Sequence, residues 1–168
     1  MTKSPVAQNR HRSRELAVQF LYSLDTRPGQ ALDASADIFV SECGFASGES
    51  AEVRAYMLFL VRGTWKQCPE IDNMMRRVVT GWRPERMVAV DRAVLRLAVF
   101  EGFLEKKVPF AVAISEAVEL ARAFGTEESG KFVNGVLARV MRSVAGRDEA
   151  DERTNNAVAD TEVSADRR

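Results

Sequence analysis

An all-α domain is the fold class that this sequence predicts, and three observations carry it. Apolar residues recur at i, i+3, i+4 and i+7 in one stretch after another. No stretch sustains the period-two alternation of a half-buried strand. Prolines and glycines punctuate the periodic stretches at Pro28-Gly29, Gly81 to Pro84, Pro109 and Gly125. About seven helices result, in a chain of 168 residues that is long enough for one domain with a sizeable core.

In chain order, residues 1–9 are polar and aperiodic and are expected to form a flexible lead-in. The helical domain is expected over 10–145. Its first helix carries Ala17, Phe20, Leu21 and Leu24 on one face and opens with Arg10, His11, Arg12 and Arg14. Cations at a helix start oppose the dipole, so the cluster makes sense if an anion is bound there. A solvated basic terminus is the alternative. Pro28 and Gly29 end this helix, and a weaker pattern with Leu32, Ile38 and Phe39 follows.

After a loop from Gly44, a long helix from about Ser50 to Gln67 carries Val53, Met57, Leu60 and Val61. Pro69 then suits the first turn of a further helix with Ile71, Met74, Met75, Val78 and Val79. The stretch Arg92 to Glu105 is apolar over much of its circumference, which marks it as central. Pro109 interrupts it, and a helix from about Ala111 places Ile114, Ala117, Val118 and Ala121 inward. Gly125 is expected to stop that helix in a left-handed conformation. Thr126 to Ser129 can cap the last helix, whose stripe is Val133, Val136, Leu137, Val140 and Val144. Gly135 inside it suggests close approach by a neighbouring helix. From Gly146 to Arg168 acidic residues dominate, and this tail is expected to be disordered.

Lysine plus arginine equals aspartate plus glutamate, 24 each, so any nucleic-acid partner must be met by a local patch. Cys43 and Cys68 stand apart without nearby histidine, which points to neither a disulfide framework nor a metal site. The longest apolar run, Tyr56 to Val61, is far shorter than the roughly 20 residues of a membrane helix, and no secretory segment opens the chain. A cytoplasmic location without membrane contact is expected. No phosphate loop, zinc spacing or nucleotide fingerprint is present, and His11 shows no sequence-visible catalytic partner. The chain therefore reads as a protein without enzymatic activity, cofactor or metal. Asp91, Glu101, Glu116 and Glu119 could be read as paired carboxylates, but alternating surface charge on helices explains them at least as well.

Two regions carry a more specific signal. The first is Arg14-Glu15 with Ala17, Gln19, Leu21 and Tyr22. The second runs through Val90-Asp91-Arg92-Ala93-Val94-Leu95-Arg96-Leu97, Val108-Pro109, Ala113-Ile114, Glu116-Ala117, Glu119-Leu120-Ala121, Phe124-Gly125 and Lys131-Phe132-Val133-Asn134-Gly135-Val136-Leu137. In this order and spacing they resemble the NusB family of transcription antitermination factors. Ser115 is a departure, since the family is expected to carry asparagine there.

The resemblance implies two packed helical subdomains, with the Arg92 helix in the second. It implies a partner, NusE, a small-subunit ribosomal protein, and a ligand, the single-stranded boxA element of nascent RNA. RNA polymerase and the other Nus factors follow as indirect partners, and processive transcription of ribosomal RNA operons as the outcome. Homodimerisation of the free protein is left open.

Single-stranded RNA is held by cations on phosphates and by aromatic faces on bases. Arg10, Arg12 and Arg14 are the candidates for the first role; Phe132, then Tyr22, are the candidates for the second, with core packing as the alternative for both aromatics. The resemblance also places partner contacts at Asp91, Phe124 and Glu128, an acidic surface suited to a basic ribosomal protein. Two other readings stay open. One is a free-standing RNA-binding domain related to the N-terminal domain of ribosomal RNA cytosine methyltransferases. The other is a helical adaptor without an RNA role.

Overall fold

Ser4 followed by Pro5 is a helix start: a hydroxyl able to accept an orphan amide, then a residue whose φ is already helical. The Ser4 hydroxyl accepts from the Ala7 amide at 3.3 Å, and α1 runs Pro5–Thr26. The computed structural model describes residues 4–27, 29, 31–42 and 48–165, with side chains followed as far as Gly146. Helix α1 thus begins more than a turn before the arginines, where periodicity alone predicts a lead-in. The dipole argument for an anion at Arg10 consequently fails, because those cations lie inside the helix.

The other helices are α2 (Leu32–Glu42), α3 (Ala51–Val78), α4 (Ala89–Ala98), α5 (Phe110–Phe124) and α6 (Glu127–Ala165). A 3-10 turn spans Pro84–Arg86, and a π-helical segment, Val99–Leu104, continues α4. No strand occurs among the described residues. The count is six rather than about seven because α3 absorbs two predicted helices, with Pro69 inside it. Proline's fixed φ suits a helix, and what it forfeits is one backbone bond plus ring crowding against the preceding turn. Leu60, Val61 and Thr64 before it and Ile71 and Met75 after it are all buried, so packing carries the helix through.

Helix α1 packs on α3, α5 packs on α6, and α4 touches all four. The helices on either side of α4, whose Arg92 the resemblance places in a second subdomain, therefore share one core. Leu16, Phe20, Met57 and Leu60 fill it on one side and Leu120, Val133 and Leu137 on the other, with Val94, Leu95 and Phe100 between them. Each such side chain contributes about 1.5–3 kcal/mol by leaving water. Phe20 and Phe39 stack at 4.6 Å, which fixes the weakly patterned α2.

Two glycines behave otherwise than their sequence context suggests. Gly125 ends α5 at φ −113°, not in the left-handed region; a Cβ there would lie 2.7 Å from the Ser129 hydroxyl, so close approach is what requires glycine. Among the described residues nothing lies within 4 Å of where a Gly135 Cβ would be, so the expected close approach of a neighbouring helix is not found there. Thr126 caps α6 as expected, its hydroxyl accepting from the Ser129 amide at 3.1 Å. The acidic tail expected over 146–168 falls almost wholly on residues whose side chains lie outside the described set, and Cys43 lies outside it too.

Candidate functional site

Successive helical residues point about 100° apart, so the basic residues of α1 leave it in different directions. Arg14 turns into the core, only 3% exposed, and the expectation of a solvent-facing phosphate ligand does not hold for it. Its Nε and Nη2 donate to the two Glu101 oxygens at 2.8 Å each, and Nη1 donates to Glu116 at 3.2 Å. Desolvation opposes the Arg14 charge, but the hydrogen bonds and charge of Glu101 outweigh it and raise the guanidinium's pKa.

Glu101 also accepts a short hydrogen bond from the Tyr56 hydroxyl. Burial, reinforced by that bond, pushes the Tyr56 phenol up to about 12. Glu101 is itself buried, so it is an internal counter-ion and not part of a charged helix surface. The π-helical segment on which it sits is a widened turn of the kind often found at functional positions.

Arg10 and Arg12 stay at the surface. The Arg10 guanidinium lies 3.6 Å above the Tyr56 ring. Arg12 donates to Glu49 at 2.6 Å and Glu15 at 3.0 Å while its side chain remains 41% exposed. His11 does have a carboxylate partner, 105 positions away: its Nδ1 is 2.6 Å from Glu116 Oε2. That same oxygen serves Arg14, so His11, Glu116 and Arg14 form a bridge from α1 to α5. Cys68 is half-buried, and burial pushes its thiol up to about 11, which leaves it protonated and unreactive.

A second surface brings together residues expected to serve different ligands. Tyr22, 43% exposed, and Phe124 line one recess of about 450 Å³ with Val18, Phe39 and Val90. Asp91 follows Val90 in the first turn of α4, and it is 7% exposed rather than outward-facing. Its Oδ1 has no hydrogen-bond partner among the described residues. Glu128 is exposed and pairs with Lys131 at 2.9 Å.

Phe132, 46% exposed, stands in a third place, on the wall of a recess of about 440 Å³. Val79, Thr80, Gly81, Trp82, Arg83, Arg86 and Met87 form the rest of that wall. Their loop is held from within. Gly81 turns the chain at φ +76°, which favours glycine, and Trp82 is buried. Arg92 donates to the Pro84 and Met87 carbonyls and, through Nε, to Asp25 at 2.9 Å. Arg96 grips Asp72 with two hydrogen bonds on the same face of α4. Arg83 and Arg86 are exposed. Periodicity missed both them and the Tyr56–Glu101 pair; the signal for the arginines was their spacing of three across Pro84.

Among the described residues no helix is long and apolar enough to cross a membrane. Residues 11–142 match the model of the NusB family. The chain is 43% identical over 148 residues to the transcription antitermination protein NusB of Symbiobacterium thermophilum, covering 86% of this chain and 96% of that protein. It resembles the solved structure of NusB from T. maritima with a TM-score of 0.69 at 33% identity, over 84% of this chain and 93% of that one. It also resembles a chain in a structure of the antitermination factors NusB and NusE with double-stranded RNA. There the TM-score is 0.70 at 26% identity, over 81% of this chain and 98% of that one. By sequence along nearly all of its described length and by fold, this chain belongs to the NusB family.

Proposed function

We propose that the protein is an antitermination factor that binds boxA single-stranded RNA together with NusE and works in the cytoplasm without catalysing a reaction. Through that pair it reaches RNA polymerase and the other Nus factors indirectly. The observation that carries this reading is the likeness, over most of both chains, to the structure holding NusB, NusE and RNA. The placement of side chains supports it. Arg10 and Arg12 offer cations at the surface of α1, and Phe132 offers an exposed ring at the start of α6. Tyr22 joins Phe124 in an apolar recess beside Asp91, a surface better matched to a protein partner than to a nucleotide. Arg14 anchors α1 and takes no part in binding.

The test is a titration of boxA RNA, scrambled RNA and boxA duplex, each with and without NusE. The expected order is boxA single strand first, with weak binding alone and tighter binding when NusE is present. Affinity indifferent to NusE and to sequence would overturn the reading.

A further inference from the structure

The bridge from α1 to α5 gathers more than an ion pair. Glu116 and Glu119 stand three residues apart on α5, so both carboxylates leave the same face of that helix. His11 of α1 meets them there: its Nδ1 lies 2.6 Å from Glu116 Oε2 and 4.0 Å from Glu119 Oε2. One ligand atom from each of the three residues falls within 4.8 Å of the others. An imidazole nitrogen with two carboxylate oxygens, drawn from two helices, is a donor set for a transition-metal dication.

The spacing fits such an ion. Around zinc, with bonds of about 2.0–2.2 Å, tetrahedral ligand atoms stand about 3.4 Å apart. The two distances from Nδ1, 2.6 Å and 4.0 Å, fall on either side of that value, so closing the set is a matter of side-chain rotation. Glu116 is 13% exposed, His11 26% and Glu119 48%. The site is thus walled on the Glu116 side and open on the Glu119 side, where water can complete the fourth position.

The residues behind the three are placed as supports. The other ring nitrogen of His11, Nε2, faces Glu15 Oε1 at 3.8 Å, one turn along α1. Glu15 is itself held through Oε2 by Arg12 at 3.0 Å. A carboxylate behind a ligating histidine sets the ring's tautomer and orientation. Arg14 donates to Glu116 at 3.2 Å and braces it, while the charge of Arg14 is answered by its two bonds to Glu101.

We infer that His11, Glu116 and Glu119 form a zinc site that clips α1 to α5. The ion takes the Nδ1 lone pair, where a proton now joins the ring to Glu116, and the ring keeps its other proton on Nε2. Zinc suits one imidazole and two carboxylates with an open position. Magnesium and calcium take six or more oxygen ligands, which these three side chains do not supply.

The experiment uses the full untagged chain, stripped with a chelator and exchanged into metal-free buffer. His11 is the single histidine in the sequence, so the imidazole nitrogen resonances report it alone. One equivalent of zinc should shift Nδ1 and leave Nε2 protonated. It should also raise the melting temperature, because the ion binds the folded chain. Magnesium in excess should do neither. In calorimetry, His11→Gln and Glu119→Gln should each weaken zinc binding by at least about tenfold, the loss that replacing even a supporting residue causes. Both substitutions lie at the surface and leave Glu116 to Arg14, and circular dichroism equal to the parent's certifies their folding. If zinc leaves Nδ1 unmoved in the parent, the inference is overturned whatever the variants do. Zinc binding both variants with the parent's affinity overturns it as well, since the ion then sits elsewhere, as on Cys43 or Cys68. A magnesium response equal to zinc's is that of a general acidic surface and also overturns it.

Discussion

Arg14 and Glu101, 87 positions apart, face each other as a two-bond ion pair at 2.8 Å with neither side chain in reach of bulk water. The pair ties α1 to the π-helical segment that follows α4, and Tyr56 of α3 closes it from a third side. Removing one member of a buried pair leaves a charge without solvent or partner, which costs about 3–5 kcal/mol. Arg14→Met should therefore lower the unfolding free energy by that amount in a urea titration. Replacing Glu101 by leucine in the same variant should recover part of the loss, because no orphan carboxylate then remains. Arg14→Met as stable as the parent would show that the pair does not hold α1 in place.

Tyr56 gives a spectroscopic reading of the same network. Its folded pKa, raised to about 12, lies above the unfolded value of about 10. A raised pKa means that the fold favours the phenol, so this contribution is complete below about pH 10 and is lost as pH climbs through about 12. The chain has two tyrosines, so a Tyr22→Phe variant reports Tyr56 alone. Absorbance of the phenolate should stay below half-titration at about pH 11 in the folded protein and reach it near pH 10 in denaturant. Half-titration near pH 10 in the folded protein would remove Tyr56 from the network.

Much of this fold could be read from spacing, and the exceptions have identifiable causes. Helical periodicity located the apolar faces of α1, α3, α5 and α6 because burial of one face imposes it. It could not say that Pro69 lies within α3, since the packing of Ile71 and Met75 decides that. It could not find the start of α1, because Ser4 and Pro5 carry a capping signal rather than an apolar one. At the site, clustered arginines look alike in sequence. Arg14 differs from Arg12 through a carboxylate 87 residues away, and no local pattern records that distance.

Gly63 and Gly135 separate two meanings of a helical glycine. A Cβ at Gly63 would lie 1.9 Å from the Phe100 ring, whereas one at Gly135 meets nothing within 4 Å. Gly63→Ala should destabilise by about 1–3 kcal/mol through overpacking, despite alanine's better helix propensity. Gly135→Ala should stabilise by up to about 1 kcal/mol. Thermal melts of the two variants should move in opposite directions. A shift of the same sign for both would mean that the Phe100 ring is not what keeps residue 63 small.

The apolar recess of Tyr22 and Phe124 predicts how NusE binding responds to substitution. Tyr22→Ala removes an exposed ring without opening the core, and Glu128→Lys reverses an exposed charge, so both leave folding intact. Asp91 is a poorer probe, since a lysine there would be buried and would threaten α4 itself. Tyr22→Ala should weaken NusE binding by at least roughly fivefold, an interface aromatic being worth 1 kcal/mol or more. Glu128→Lys should act chiefly on the association rate and more strongly at low salt. NusE binding unchanged in both would move the partner surface elsewhere.

Binding of RNA should divide into an electrostatic part on α1 and a stacking part on Phe132. Arg12 is already engaged by Glu49 and Glu15, so a phosphate must compete with two carboxylates for it. Arg10 rests on the Tyr56 ring and is held by no carboxylate among the described residues, so a phosphate has less to displace there. Arg10→Ala/Arg12→Ala should accordingly lower both the affinity and the salt slope, by no more than about 0.7 per neutralised phosphate. Phe132→Ala should cost about 1–3 kcal/mol of binding and leave the slope unchanged, because stacking releases no counterions. Arg14→Met, by contrast, should change stability first and RNA affinity only as α1 loosens. Its RNA binding, measured well below the unfolding midpoint, should keep the parent's slope. A slope reduced by Arg14→Met as much as by the surface pair would return Arg14 to the RNA site and displace Glu101 as its partner in the working complex.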